Sequence, residues 1–267
     1  MFSSPFHYSQ ISDSEIQINA YTGDKENITI PQEINGRSVT ELKSLEKFKS
    51  VFKNAPRVVS VKLPATLTAI DYGGFADCIN LRRIKFPDSL TCIGDYAFPN
   101  CESLQELELP PRLEKIGKVA FWNCKSLREV ELPDSVKFID RGIFGYCENL
   151  QRVILPDSLS EVSDYTFHVC NRLETVKLPR NLKRINEKSF SFCRALEKLN
   201  LPVTVERIEN FAFYGCDNLQ KFYLPDAVKF IGLYAFRSCR NLKFVELPKE
   251  AECDEPAFEN FTELIFR

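Results

Sequence analysis

The sequence predicts an α/β solenoid, a stack of short rungs that each combine a parallel strand with a short helical turn. Three observations predict it. The dipeptide Leu-Pro, once replaced by Phe-Pro, recurs at Leu63-Pro64, Phe86-Pro87, Leu109-Pro110, Leu132-Pro133, Leu155-Pro156, Leu178-Pro179, Leu201-Pro202, Leu224-Pro225 and Leu247-Pro248, always 23 residues apart. Cysteine keeps the same 23-residue period from Cys78 to Cys239, and phenylalanine keeps it from Phe52 to Phe236. Composition is that of a soluble protein, 44% hydrophobic and 27% charged. So strict a period marks stacked repeats, each too small to bury its own core.

The start of the chain does not repeat. Residues 7–11 and 15–21 read as short strands about the polar turn Ser12-Asp13-Ser14, and a break at 22–25 precedes a third strand ending at Ile30-Pro31. A stack exposes its core at both ends and needs atypical terminal units, so residues 1–30 are assigned to an N-terminal β cap and 31–267 to the solenoid. Ten extra residues separate Pro31 from Pro64. Some fall at the Asn35-Gly36 turn, and others near 43–49, where Leu42, Leu45, Phe48 and Phe52 follow helical spacing and predict a short amphipathic helix.

From Pro64 onward the rungs are regular. In one, the inward positions are Leu90, Ile93, Ala97, Phe98, Cys101, Leu104, Leu107 and Leu109. The alternation after Leu104 is that of a half-buried strand, which proline then ends because it cannot donate to a ladder. Phe98, Cys101 and Leu104 at successive threes fit one turn of α or 3-10 helix. A second, weaker extended segment runs through positions such as Val136 to Ile139. About ten rungs result, and the last, 249–267, is irregular. There Phe258 arrives one residue early, Phe261 replaces the column cysteine, and Leu264-Ile265-Phe266 supplies a closing strand.

Ten cysteines suggest a disulfide framework until their places are read. Eight of them occupy the same position on successive rungs, and only Cys92 and Cys253 lie outside that column. The expected state is a reduced packing ladder, with the thiols acting as small hydrophobes. Disulfides between rungs and zinc ligation are weaker alternatives, because a straight column offers neither the dihedral nor four convergent ligands.

The repeats Leu-Pro-Asp-Ser-Val-Lys-Phe-Ile (132–139) and Leu-Arg-Arg-Ile-Lys-Phe-Pro (81–87), the Ala-Phe and Cys columns, and the lead-in Ile-Thr-Ile-Pro (28–31) with 34–40 resemble the BspA-like leucine-rich repeat family. The resemblance covers about residues 15–267. It implies a leucine-rich-repeat superhelix with a parallel β-sheet on its concave face, and the crossover rule makes it right-handed. It also implies a cell-surface or secreted protein that adheres to host or cell-surface proteins. Met1 to Pro5 lack the basic and apolar regions of a signal peptide, so a cytoplasmic location is the alternative.

A net charge of -2 argues against nucleic acid as a partner. No apolar run reaches the length of a membrane span, so no membrane insertion is expected. Function must sit where rungs differ on an exposed face. The best surface is the strand face, where the outward residues Glu106, Glu108, Glu129, Glu131, Arg152, Ile154, Lys177, Lys198, Lys221, Tyr223 and Phe244 form a strip with an acidic block and a basic, aromatic half. Exposed aromatics beside charges suit a protein or peptide ligand. A solvated face with Glu–Arg cross-strand pairs is the plain alternative. A second surface carries Trp122, His168, Tyr214 and Arg237, whose bulk is read mainly as shielding the core edge. His168 lies near Cys170 in sequence, but a column thiol points inward and is inert. The chain is therefore read as a monomeric, non-enzymatic binding module with no cofactor and no metal. An intracellular structural or scaffold repeat protein is the alternative.

Overall fold

The computed structural model describes residues 4–46, 49–259 and 262–267. Its first strands build an end-plate. Phe6–Gln10 and Glu15–Tyr21 pair antiparallel, closed by Ile11 N donating to Glu15 O at 2.9 Å. Ile16, Ile18 and Tyr21 point inward and are buried. Glu33–Ile34 and Arg37–Leu42 form a second hairpin, whose Asn35 and Gly36 have φ of 53° and 75°. Two adjacent positive φ angles are what the tight Asn-Gly turn requires. Arg37–Leu42 then pairs parallel with Glu15–Tyr21 and joins the cap to the stack.

About eleven turns follow one another as a parallel-strand β-solenoid. Each regular rung offers two extended segments, which stack into two ribbons. The segment that looked weaker in the sequence forms the more continuous ladder. This isoleucine ribbon runs from Arg37–Leu42 through Ala69–Ile70, Cys92–Ile93 and Lys115–Ile116 to Phe138–Ile139. It resumes from Glu161–Val162 to Glu252–Cys253. The Leu-Pro ribbon comes in three sections. They are Asn27–Thr29 to Arg83–Lys85, Glu129–Glu131 to Thr175–Lys177, and Lys221–Tyr223 through Phe244–Leu247 to Glu263–Phe266.

Between these sections no strand forms at 106–108 or 198–200. The inward residue explains the difference. It is Ile28, Val61, Ile84, Val130, Val153, Val176, Phe222 and Val245 where pairing holds, and Leu107 and Leu199 where it lapses. β-Branched and aromatic side chains favour extended backbone, whereas leucine does not. Leu264, in the last strand, is paired on one side only.

The predicted helical turns do not form. Among the described residues there is no α or 3-10 helix. The spacing in threes comes instead from two isolated turns, as where Cys101 N donates to Phe98 O at 3.4 Å and Leu104 N to Cys101 O at 3.0 Å. Left-handed residues keep them apart. One column (Gly73, Tyr96, Val119, Gly142, Tyr165, Lys188, Phe211, Tyr234) has φ of 53–68°, and another four residues on (Asp77, Asn100, Asn123, Tyr146, Val169, Phe192, Gly215, Ser238) has φ of 60–71°. A helix needs an unbroken run of negative φ. The amides turn along the stack instead: Tyr96, Phe98 and Asn100 N donate to Lys118, Ala120 and Trp122 O at 2.8–2.9 Å.

The helix predicted near 43–49 is absent from its described part for a similar reason. Lys43 N donates to Ile18 O and Ser44 N to Tyr72 O, bonds to neighbouring rungs, and Leu45 is 66% exposed. Phe48, on which that expectation also rested, lies outside the described residues, as does Phe261.

The core is a set of columns. Rings from Phe52 to Phe236 follow one another at 4.9–6.1 Å, mostly stacked, and Phe258 extends the series at 5.4 Å from Phe236. Such spacing suits offset aromatic pairs. The column cysteines are free and buried. From Cys101 to Cys239 each thiol donates to the carbonyl of a phenylalanine one rung back, as Cys170 Sγ does to Phe144 O at 3.1 Å. Cysteine thus fills a small apolar slot and gives a buried carbonyl a further partner. Burial pushes the Cys78 thiol up to about 12 and holds Cys101 and Cys170 well above the ordinary thiol range.

Candidate functional site

The Leu-Pro ribbon presents its outward side chains in register. Glu129 stands beside Arg152, Ile154 beside Lys177, Lys221 beside Phe244, and Tyr223 beside Glu246. Glu106, Glu108, Glu129, Glu131, Arg152, Lys177, Lys198, Lys221 and Tyr223 are exposed, while Ile154 and Phe244 are half-buried. Tyr223 is 56% exposed, with its ring edge-on to Phe244 at 5.7 Å. The Lys221 ammonium lies 5.5 Å from the Phe244 centroid. The Phe244 ring thus contacts both Lys221 and Tyr223.

The charges on this face are unsatisfied. Among the described residues, Glu106, Glu108, Glu129, Glu131, Arg152, Lys177, Lys198 and Lys221 make no ion pair, although Glu129 and Arg152 are adjacent. The ion pairs lie elsewhere: on the isoleucine ribbon (Lys137–Glu114, Lys183–Glu206), along the turns (Lys125–Glu102), and at the chain end, where Arg267 holds Glu246 at 2.9 Å. Glu106 above Glu129 and Glu108 above Glu131 set like charges on neighbouring rungs, an arrangement that costs stability.

The second lapse in the ribbon opens a cleft of about 430 Å³. Lys198, Leu199, Asn200 and Leu201 line one side, and Gln220, Lys221 and Tyr223 the other. Among the described residues, 198–200 make no backbone hydrogen bond to either neighbouring rung. The sequence contained a signal for this feature, leucine where the paired rungs carry valine, isoleucine or phenylalanine.

The turn face has a different character. Trp122 lies over the next rung, where a Cβ on Gly145 would sit 2.2 Å from its ring. From Trp122 an aromatic path runs through Tyr146, His168 and Phe192 to Tyr214, with centroids 4.9–6.1 Å apart. These side chains, with Arg237, are half-buried, which agrees with the shielding role. His168 Nδ1 lies 2.6 Å from Ser191 Oγ, whose own proton goes to Lys188 O, so the hydroxyl accepts from the ring. Burial, helped by the Lys188 charge, lowers His168 to about 4. His168 and Cys170 do not form a nucleophilic pair. The thiol is bonded to Phe144 O in the core, and the imidazole is bonded to Ser191 on the turn face.

Known proteins match this architecture. The model of the BspA type leucine rich repeat region matches residues 46–174 and 160–265. A leucine-rich repeat protein of T. pallidum has 31% identity and a TM-score of 0.66, over 73% of this chain and 90% of its own. One from Bacteroides ovatus has 21% identity and a TM-score of 0.52, over 100% of this chain and 99% of its own. Among curated proteins none matches in sequence. Repeat solenoids of this type are generally non-enzymatic and serve in protein interaction or scaffolding. They are typically surface-associated bacterial proteins. Among the described residues no helix is long and apolar enough to cross a membrane. With its 23-residue period, its Phe and Cys columns and its two parallel ribbons, the chain belongs to the BspA-type leucine-rich repeat family.

Proposed function

We propose that the protein is a binding module that holds a protein or peptide ligand on the outward face of the Leu-Pro ribbon, across Glu106 to Phe244. The carrying observation is the unpaired charge of that face. Eight charged side chains from Glu106 to Lys221 lack an ion-pair partner, whereas several beside the isoleucine ribbon have one, Lys137 with Glu114 and Lys183 with Glu206 among them. Like charges stacked on adjacent rungs lower stability, so a complementary surface that relieves them gains affinity. The exposed Tyr223, braced by Phe244, supplies the kind of aromatic anchor on which interface energy concentrates. For a family that is typically surface-associated, a ligand on a host or neighbouring cell, and so a role in adhesion, fits this geometry.

The test compares faces. A displayed library of random dodecapeptides is selected on the immobilised protein, and the winning peptides are measured on two sets of variants. At least one of two pairs of substitutions on the Leu-Pro face, Lys198→Glu with Lys221→Glu or Glu129→Lys with Glu131→Lys, should weaken binding about tenfold or more. Trp122→Ala on the turn face should leave it unchanged. The opposite pattern assigns recognition to the turns and defeats the proposal.

A further inference from the structure

We infer that the cleft at the second lapse of the Leu-Pro ribbon takes the apolar side chain of an acidic, extended peptide segment. The inference rests on the reading of that ribbon as the binding face and adds a position and a ligand class to it.

Four features converge there. The floor is apolar: Leu199 is 7% exposed and Leu201 is half-buried. Tyr223 stands on the wall with more than half its surface free, fixed edge-on by Phe244. The backbone is open: 198–200 leave amides and carbonyls that every fully paired rung would use. A peptide backbone lying across the cleft can offer those groups partners. The charge is one-sided: Lys177, Lys198 and Lys221 stand on three consecutive rungs without an ion pair. Glu197 is the one carboxylate on the wall, and Glu246 nearby is held by Arg267.

The first lapse, at 106–108, is the internal control. It has the same unpaired backbone and a buried leucine, Leu107. Its outward residues, however, are Glu106 and Glu108, and its neighbours carry Arg83, Lys85, Glu129 and Glu131, with no aromatic among them. Of the two lapses, only the second combines an open backbone, an apolar floor, a fixed aromatic and a positive excess, three lysines against Glu197. The acidic block toward the N-terminal end repels a ligand of its own sign, so the bound segment lies from the cleft toward Phe244.

The peptide library decides between the outcomes. The inference expects selected sequences enriched in Asp and Glu around one large aliphatic or aromatic residue. It expects a synthetic peptide of that kind to lose about tenfold or more in affinity with Lys198→Glu plus Lys221→Glu, and separately with Tyr223→Ala. Glu129→Lys plus Glu131→Lys should leave its affinity within about twofold. Selected peptides rich in Lys and Arg, or lost on the Glu129 and Glu131 changes instead, overturn the inference while leaving the Leu-Pro face as the site. Peptides insensitive to both sets, or a selection that yields none, overturn both. Every substituted side chain is exposed, and unchanged melting of each variant separates lost binding from lost fold.

Discussion

The two ribbons are built by the same rungs on the same core, yet ion pairs gather along the isoleucine ribbon and are sparse on the Leu-Pro ribbon, where Glu246 pairs with Arg267. On the isoleucine ribbon, side chains 23 residues apart pair across rungs: Lys183 with Glu206 at 2.8 Å, and Lys137 with Glu114 at 3.5 Å. On the Leu-Pro ribbon the same spacing puts Glu106 by Glu129 and Lys198 by Lys221. A repeat makes residues one period apart into neighbours whatever their chemistry. Opposite signs there serve the stack, and equal signs leave a field for something outside it. The ladders differ in the same sense. The isoleucine ribbon breaks once, between Phe138–Ile139 and Glu161–Val162, where Ser163 Oγ donates to Ile139 O at 2.8 Å. The Leu-Pro ribbon breaks twice, and each break carries exposed charge.

Removing what the ribbons share should have the largest effect. Phe144 lies mid-column between Phe121 and Phe167 at 5.7 and 6.1 Å, fully buried. Phe144→Ala is expected to cost about 3–5 kcal/mol in denaturant unfolding. A loss below about 1 kcal/mol would mean that the column is not what couples the ribbons. The next test addresses the breaks themselves. Leu199→Val should slow amide exchange at 198–200 while costing no more than about 1 kcal/mol for the lost methylene. Val153→Leu should speed exchange within Arg152–Ile154. Unchanged exchange in both would remove the inward side chain as the cause of the lapses.

The turns that join the ribbons add a pH dependence. His168 titrates near 4 in the fold against 6.5 for a free histidine, chiefly because it is buried. The unfolded chain therefore takes up a proton in that window that the folded chain refuses. The contribution is complete above pH 6.5 and is lost as pH falls toward 4. His168→Asn should flatten the fall in melting temperature between pH 7 and pH 5. An equally steep fall in the variant would assign the acid sensitivity to other groups. The smallest effect should come from surface charge. Glu206→Lys sets three cations together on the isoleucine ribbon and should lower the melting temperature slightly at low salt. Glu131→Lys on the Leu-Pro ribbon relieves the stack with Glu108, faces Ile154 on its other side, and should leave the melting temperature level or raise it. If both fall alike, the contrast in pairing has no energetic meaning.

Much of this was legible because of the period. Once Phe98 and Phe121 are seen 23 residues apart, their contact follows without knowing the path between them. The Asn35-Gly36 turn was readable because few residues tolerate its backbone. The candidate strip was readable too, since alternation decides which side chains leave the sheet. The turns were misread. Phe, Cys and Leu at intervals of three have the apolar pattern of a helix, but left-handed residues such as Tyr96 and Val169 give no compositional warning. Only Gly73, Asp77, Asn100, Asn123, Gly142 and Gly215 in those columns hint at it. The cleft was missed because a leucine in place of valine looks conservative until both neighbouring rungs are seen to release it.

By itself the sequence determined the family, the stacking register, the cysteine column and the strip of side chains that face outward. All four depend on which residues recur at one interval, and an interval is a one-dimensional property. The tertiary structure alone decided the left-handed turns, the dominance of the isoleucine ribbon, the unpaired state of the Leu-Pro charges and the cleft beside Tyr223. These depend on where each amide and each charged tip finds its partner, and in a solenoid that partner sits on the next rung rather than nearby in the chain.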